Sequence, residues 1–157
     1  MISIIIKLVL IAGLIAADQG IKFWASQVLQ PVTAMPLIPG IVELRFVLND
    51  GMAFSMLSGK QTFLIVVTSV ALAAVAWLLF TGKMFGRVGN AGLLLVLAGG
   101  IGNLIDRVAN GVVVDYINLL FMHFAVFNFA DICVCVGVGL LVLDVLLDSV
   151  GNKNGAL

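Results

Sequence analysis

Two aspartates sit where an apolar chain has least reason to carry charge. Asp106 closes a Leu-, Val- and Gly-rich stretch that starts at Ala91, and Asp131 lies near the start of another that begins at about Phe124. An ionised carboxylate at the centre of a membrane helix costs about 2.5–3.5 kcal/mol on insertion scales, so each demands an explanation. Each also follows an asparagine by three residues, in Asn103-Leu104-Ile105-Asp106 and Asn128-Phe129-Ala130-Asp131. At that spacing amide and carboxylate share a helix face, so the amide can orient the carboxylate or hold a substrate backbone. Consecutive antiparallel spans would bring both carboxylates to the same membrane face. Two carboxylates held close cannot both ionise; they share a proton and titrate as a unit. Such a pair supplies a base to activate water and an acid to protonate a scissile carbonyl, which is aspartic peptidase chemistry. It could equally serve as the relay of a small proton-coupled transporter. A plain ion pair, with Arg107 beside Asp106, is the structural alternative. The matched Asn-x-x-Asp pattern favours function over that alternative and leaves peptidase and transporter both open.

The remaining polar residues are weaker candidates. Asp18 and Lys22 have the i, i+4 spacing of a helix ion pair, which is the preferred reading. Lys22 and Ser26 share that spacing, so a serine–lysine site is conceivable, although no second motif supports it. His123 stands alone at the edge of the fourth stretch and lacks companions for a metal site or a triad. Cys133 and Cys135 point to opposite sides of a helix and read as buried small hydrophobes. Asp115 could brace a neighbouring loop, and Asp144 and Asp148 read as a solvated helix end. Gly99, Gly100, Gly102, Gly137 and Gly139 are expected to permit close helix packing.

The elements that must position these groups follow from composition. Of 157 residues, 62% are hydrophobic and 10% charged, whereas a soluble domain is about a quarter charged. Lipid must therefore cover most of the surface. Net charge is zero without a basic run, so nucleic-acid binding has no electrostatic footprint. Four apolar stretches predict four membrane spans, at about 4–24, 62–80, 88–106 and 124–147, in a single domain 1–157. The first could be a cleavable signal peptide, since Lys7 precedes an apolar run ending in Ala16-Ala17; apolar residues before Lys7 and a helix-compatible continuation to Trp24 favour an uncleaved span. Residues 30–60 contain Pro31, Pro36, Pro39 and Gly40, which break helices. Within them Val42, Leu44 and Phe46 alternate with Glu43 and Arg45, the pattern of a half-buried strand ending at an Asn49-Asp50-Gly51 turn. Val112 to Tyr116, after Asn110-Gly111, could pair with it. A small β platform, at about 30–60 and 108–123, is expected on one membrane face. Lys7, Lys83, Arg87 and Lys153 fall on the side of the termini, and Lys22, Arg45, Lys60 and Arg107 on the other. The first set is packed into short loops and ends, which places the termini in the cytoplasm.

At these residues the sequence resembles the bacterial lipoprotein signal peptidases, or signal peptidase II. Asp18-Gln19-x-x-Lys22, Asn49-x-Gly51-x-Ala53-Phe54, Gly102-Asn103-Leu104-Ile105-Asp106-Arg107 with Val114-Asp115-Tyr116, and Phe127-Asn128-x-Ala130-Asp131 look like the family's motifs, in order and along essentially the whole chain. The resemblance implies an α-helical integral membrane protein: four transmembrane helices, a small extracytoplasmic β-cradle and a short amphipathic connector. It implies an aspartic endopeptidase of the cytoplasmic (inner) membrane that removes signal peptides from diacylglyceryl-modified prolipoproteins, cutting before the lipid-modified cysteine. Asp106 and Asp131 would be catalytic; Asn49, Asn103, Arg107 and Asn128 would line or brace the site, with Gly51, Asp18, Lys22 and Asp115 in support. No metal or other cofactor is expected. The implied partners are prolipoprotein substrates and membrane lipid, with inhibition by a globomycin-type cyclic lipopeptide, no nucleic acid, and a monomeric state.

Overall fold

A computed structural model describes residues 2–32, 34–51, 59–82 and 84–154. Ala53, Phe54 and Lys83 lie outside the described residues. Four helices run α1 Ile2–Val28, α2 Gln61–Thr81, α3 Arg87–Asn110 and α4 Phe129–Asn154. Each carries a window long and apolar enough to cross a membrane. Three strands, β1 Met35–Ile38, β2 Val42–Asn49 and β3 Val113–Leu119, form one antiparallel sheet in the order β1-β2-β3. The alternating segment is β2, and the stretch after Asn110-Gly111 does pair with it. The first apolar stretch is one continuous helix through Ala16, Ala17 and Lys22.

Helix α3 is the central element. Half of its membrane window is buried, against 11–22% for the other three, and it packs against all of them. Its seam with α4 is built from small residues seven apart. A side chain at Gly92 would reach the Gly137 carbonyl at 2.6 Å, and one at Gly99 would collide with the Ala130 carbonyl. A seven-residue repeat keeps one stripe facing the partner along the helix, and small residues let the backbones touch. Gly100 makes room for Leu72 of α2. The expectation for Gly139 is corrected, because among the described residues nothing lies within 4 Å of a side chain placed there.

Two polar anchors tie the helices at the face bearing the termini. Lys7 donates to the Leu79 carbonyl at 2.7 Å, at the end of α2, and to Asn90 Oδ1 at 3.4 Å. Asp144 is not a solvated helix end. It is buried, and its Oδ2 accepts the Gly86 N–H at 2.9 Å, bringing a carboxylate to the positive end of α3. Asp148, one turn further, is exposed as expected.

The last expected span starts later than its hydropathy suggests. Residues 124–127 are apolar but not helical, and Phe127 forms an antiparallel bridge with Ile117 instead. α4 begins only where Asn128 can cap it. At the other end of the loop, α3 stops at Gly111, whose φ of 73° places it in the left-handed region while its N–H bonds the Arg107 carbonyl at 3.1 Å. That turn starts β3 two residues later. The sheet packs against the last turns of α1 through Ala25, Leu29, Leu44 and Tyr116.

Candidate active site

The site is assembled where α1, the end of α3, the start of α4 and the sheet meet. Four backbone N–H groups open α4, and each finds a partner. Phe129 N–H donates to the Tyr116 hydroxyl at 3.1 Å, and Ala130 N–H to Asp18 Oδ1 at 3.1 Å. Asp131 N–H donates to Asn128 Oδ1 at 3.0 Å, and Ile132 N–H reaches the Asn128 carbonyl. Asp131 Oδ2 in turn accepts the Asn128 N–H at 3.0 Å. This reciprocal pair is a capping box, with Asn128 as cap and Asp131 three residues on. Its spacing is thus a helix start, not only a shared helix face. Asp131 is held by its own helix terminus, half-exposed toward the cavity described below.

The Asn103–Asp106 pair has the same spacing and a different use. It lies inside α3, where the backbone is already bonded, so both side chains reach outward to other elements. Asn103 Nδ2 donates to Asp131 Oδ1 at 2.8 Å, and Asn103 Oδ1 accepts from Asn128 Nδ2 at 3.0 Å and from Lys22 Nζ at 2.8 Å. The asparagine of one motif therefore orients the aspartate of the other.

Lys22 is the hub. Its ammonium lies 2.9 Å from Asp18 Oδ2, 2.9 Å from Asp106 Oδ2 and 2.8 Å from Asn103 Oδ1, which occupies all three of its donors. Asp18 and Lys22 are the expected ion pair, and the same ammonium holds Asp106. The Arg107 alternative is corrected: Asp106 takes its cation from α1, while Arg107 donates to the Gly51 carbonyl at 3.0 Å. Gln19 completes the clamp, its Nε2 donating to Asp106 Oδ1 at 3.0 Å. Gly102 is required here, since a side chain on it would stand 2.5 Å from Asp18 Oδ2. The serine–lysine arrangement is not formed: the Ser26 hydroxyl donates to the Lys22 carbonyl at 2.9 Å.

The sheet contributes Asn49 and Asp115. β2 carries one extra residue against β3 between Leu44 and Val47. Without that bulge Asn49 would pair one position further along and point to the opposite face. With it, Asn49 faces Val113 and lies on the Asp115 side, so its Nδ2 donates to Asp115 Oδ2 at 2.9 Å. Asn49 Oδ1 also accepts the Gly51 N–H at 2.9 Å, and Asn128 Nδ2 donates to Asp115 Oδ1 at 2.7 Å. Burial pushes the Asp115 carboxyl up to about 6, with the charge of Asp131 adding to the shift; the amides of Asn49 and Asn128, and Lys22, oppose it. Burial likewise raises the Tyr116 hydroxyl to about 12.

A cavity of about 410 Å³ opens onto this network. Asn49, Asn103, Arg107, Asp115 and Asp131 form its polar wall, and Phe124 to Phe127 with Ile132, Val134 and Val136 of α4 form its apolar wall. Ile132 and Val136 are also partly exposed on the outside of the span, so the cavity adjoins the lipid-facing surface. Asp106 is buried at 4% exposure and is not among the cavity-lining residues. It stands behind Asp131, reached through Asn103 and Lys22. Arg107 Nε is buried in the same wall without a hydrogen-bond partner among the described residues. Cys133 is buried as expected, but Cys135 is exposed and lines the cavity one turn beyond Asp131. Sequence reasoning gave no role to Gln19, the Tyr116 hydroxyl or Cys135. For Cys135 a signal existed, since i, i+4 from Asp131 shares its helix face. Among the described residues no three His, Cys, Asp or Glu side chains are grouped as a metal site requires.

Residues 10–147 match the family model described as signal peptidase (SPase) II. A lipoprotein signal peptidase of Lactococcus lactis subsp. cremoris (strain MG1363) is 40% identical over 144 residues, covering 92% of this chain and 95% of that protein. One of Streptococcus pyogenes serotype M2 (strain MGAS10270) is 42% identical over 130 residues, covering 83% and 86%. A bacterial membrane enzyme solved by the in meso method superposes with a TM-score of 0.83 at 29% identity, over 91% of this chain and 88% of that one.

Proposed function

The chain belongs to the signal peptidase II family, and from that premise we propose that it is the aspartic endopeptidase that removes signal peptides from diacylglyceryl-modified prolipoproteins. Membership in a peptidase family decides against the transporter alternative. The observation that carries the aspartic reading is the shared network: Asn103 Nδ2 holds Asp131 while Lys22 bridges Asn103 and Asp106.

In this reading one carboxylate takes a proton from water as the oxygen attacks the scissile carbonyl carbon. The other gives its proton to the carbonyl oxygen. Collapse of the tetrahedral species then breaks the C–N bond, and the proton taken from water passes to the leaving nitrogen. Asp131, at the cavity wall, meets substrate first; Asp106, fixed by Lys22 and Gln19, is the anchored member. Asn103 and Asn128 keep Asp131 in one orientation. Arg107 and Asn49, which share the polar wall with Asp131, are available to the substrate backbone. The apolar wall along Ile132 to Val136 suits a signal helix and acyl chains that arrive through lipid, with cleavage before the lipid-modified cysteine. The proposed setting is the cytoplasmic (inner) membrane of a bacterium, with the site on the extracytoplasmic face. A globomycin-type lipopeptide would compete for the same cavity.

Purified protein in lipid, incubated with a diacylglyceryl-modified prolipoprotein, should shorten it by its signal peptide. Asp106→Asn and Asp131→Asn should each insert normally and lose cleavage, since a general acid–base step is worth about 10²–10⁴-fold. The double variant should be about as inactive as either single one. Near-normal cleavage by either single variant would refute the dyad while leaving family membership intact.

A further inference from the structure

The sheet ends in an apolar tip that the peptidase site does not use. Leu37, Ile38 and Ile41 at the β1–β2 turn are 58%, 48% and 47% exposed, and Leu120, Phe121 and Met122 after β3 are 46%, 64% and 47% exposed. The two groups form one surface, because Leu120 N–H bonds the Ile41 carbonyl at 2.9 Å and Val42 pairs with Leu119. No residue from Leu29 to Val42 is charged, and His123 is the one ionisable side chain from Leu119 to Ala130. A water-facing sheet edge is normally protected by charge. Here β1 is an edge strand, and it presents leucine and isoleucine.

The connectivity sets the height of this tip. β3 leaves α3 two residues after its capping Gly111, and its Ile117 exchanges hydrogen bonds of 2.8 and 3.0 Å with Phe127, two residues before α4. Tyr116 touches the first residue of α4 through its hydroxyl, and the sheet also packs on the end of α1. The strand is therefore tied to three helix ends at one membrane face. Phe124, at the foot of the 120–124 loop, shares the cavity wall with Val134 and Val136 of the membrane-crossing part of α4.

We propose that the tip formed by Leu37, Ile38, Ile41, Leu120, Phe121 and Met122 is seated in the bilayer interface, so that lipid covers the outer end of the sheet. Exposed apolar patches mark surfaces that meet a partner, and this one leads through the 120–124 loop to Phe124, which lines the cavity together with Val136 of α4, itself 49% exposed. Interfacial segments sink their apolar face about 5–10 Å into the headgroup and upper acyl region. The sheet would then be held at a constant height over the cavity, as a rim of the lipid boundary.

The test is tryptophan fluorescence in vesicles. Trp24 and Trp77 are replaced by phenylalanine, and Phe121→Trp or, separately, Leu37→Trp provides the reporter. Variants that keep the parent's unfolding temperature are reconstituted into phosphatidylcholine with or without bromine near the top of the acyl chains. Seating at that depth predicts blue-shifted emission from both reporters, an about twofold loss of intensity in brominated vesicles, and protection from aqueous iodide. Emission quenched by iodide and not by brominated lipid would overturn the proposal. Insensitivity to both quenchers, with a cross-linked dimer at high lipid dilution, would assign the patch to a second copy and overturn it as well.

Discussion

Replacing Lys22 with methionine tests the network most directly. The side chain is buried at 3% exposure, and its ammonium serves two carboxylates that are themselves 1% and 4% exposed, Asp18 and Asp106. Methionine fills similar volume without charge, so both carboxylates stay buried without their cation. Removing one partner of a buried ion pair typically costs about 3–5 kcal/mol. Asp18→Asn should cost less, near the about 1 kcal/mol of a single hydrogen bond, because it leaves Lys22 paired one-to-one with Asp106. For a chain of this size each kcal/mol moves the unfolding midpoint by about 2–4 °C, so Lys22→Met should lower it by about 6–20 °C. The double variant Lys22→Met, Asp18→Asn should recover part of that loss, since one uncompensated carboxylate is gone. The assay is thermal unfolding in detergent with a thiol-reactive dye, in a Cys135→Ser background, so that buried Cys133 reports opening. Cleavage measured well below the midpoint should fall with Lys22→Met even where the protein remains folded, because Asp106 and Asn103 lose their common anchor. A midpoint within about 2 °C of the parent, less than 1 kcal/mol on that scale, or an Asp18→Asn variant less stable than Lys22→Met, would refute the reasoning.

Orientation can be read with single cysteines in a background lacking Cys133 and Cys135. Met84, which is 67% exposed, is the reporter on the face of the termini; Met84→Cys should be shielded from an impermeant reagent in intact cells and Lys60→Cys should react. The opposite labelling would put the site in the cytoplasm. Cys135 lines the cavity, so a bulky maleimide should block cleavage by the parent and leave Cys135→Ser active; equal sensitivity of the two would remove Cys135 from the substrate path. The Asp115 carboxyl rises from 3.8 to about 6 on folding, so its proton favours the folded state. That contribution, about 3 kcal/mol, is fully present below the unfolded value and is lost as pH rises through the folded one. The difference in unfolding midpoint between the parent and Asp115→Asn should therefore shift against the parent between about pH 4 and pH 6, where the carboxyl's two values lie; a constant difference would argue against it.

Much of this protein could be read from one dimension. Lipid coverage follows from the scarcity of charge, and α2 from an uninterrupted apolar run. β2 shows in the alternation around Leu44, and the break before β3 in Asn110-Gly111. Asp106 and Asp131 stood out because a carboxylate in an apolar stretch is costly wherever it lies. What spacing could not provide was the azimuth of one helix against another. Asn103-x-x-Asp106 and Asn128-x-x-Asp131 look identical in sequence, yet the first bonds outward from a helix interior and the second caps a helix start. Only the position of the α4 N-terminus tells them apart. In the same way, i, i+4 spacing paired Lys22 with Asp18 but could not show that α3 presents Asp106 to the same ammonium. Asp144 looked solvated until α3 was seen to start beside it. Asn49 reaches Asp115 because of a single-residue bulge, a register choice that no local propensity encodes. Spacing along a chain specifies which residues share a face; which faces meet is decided by how closely the glycine seam lets α3 and α4 approach.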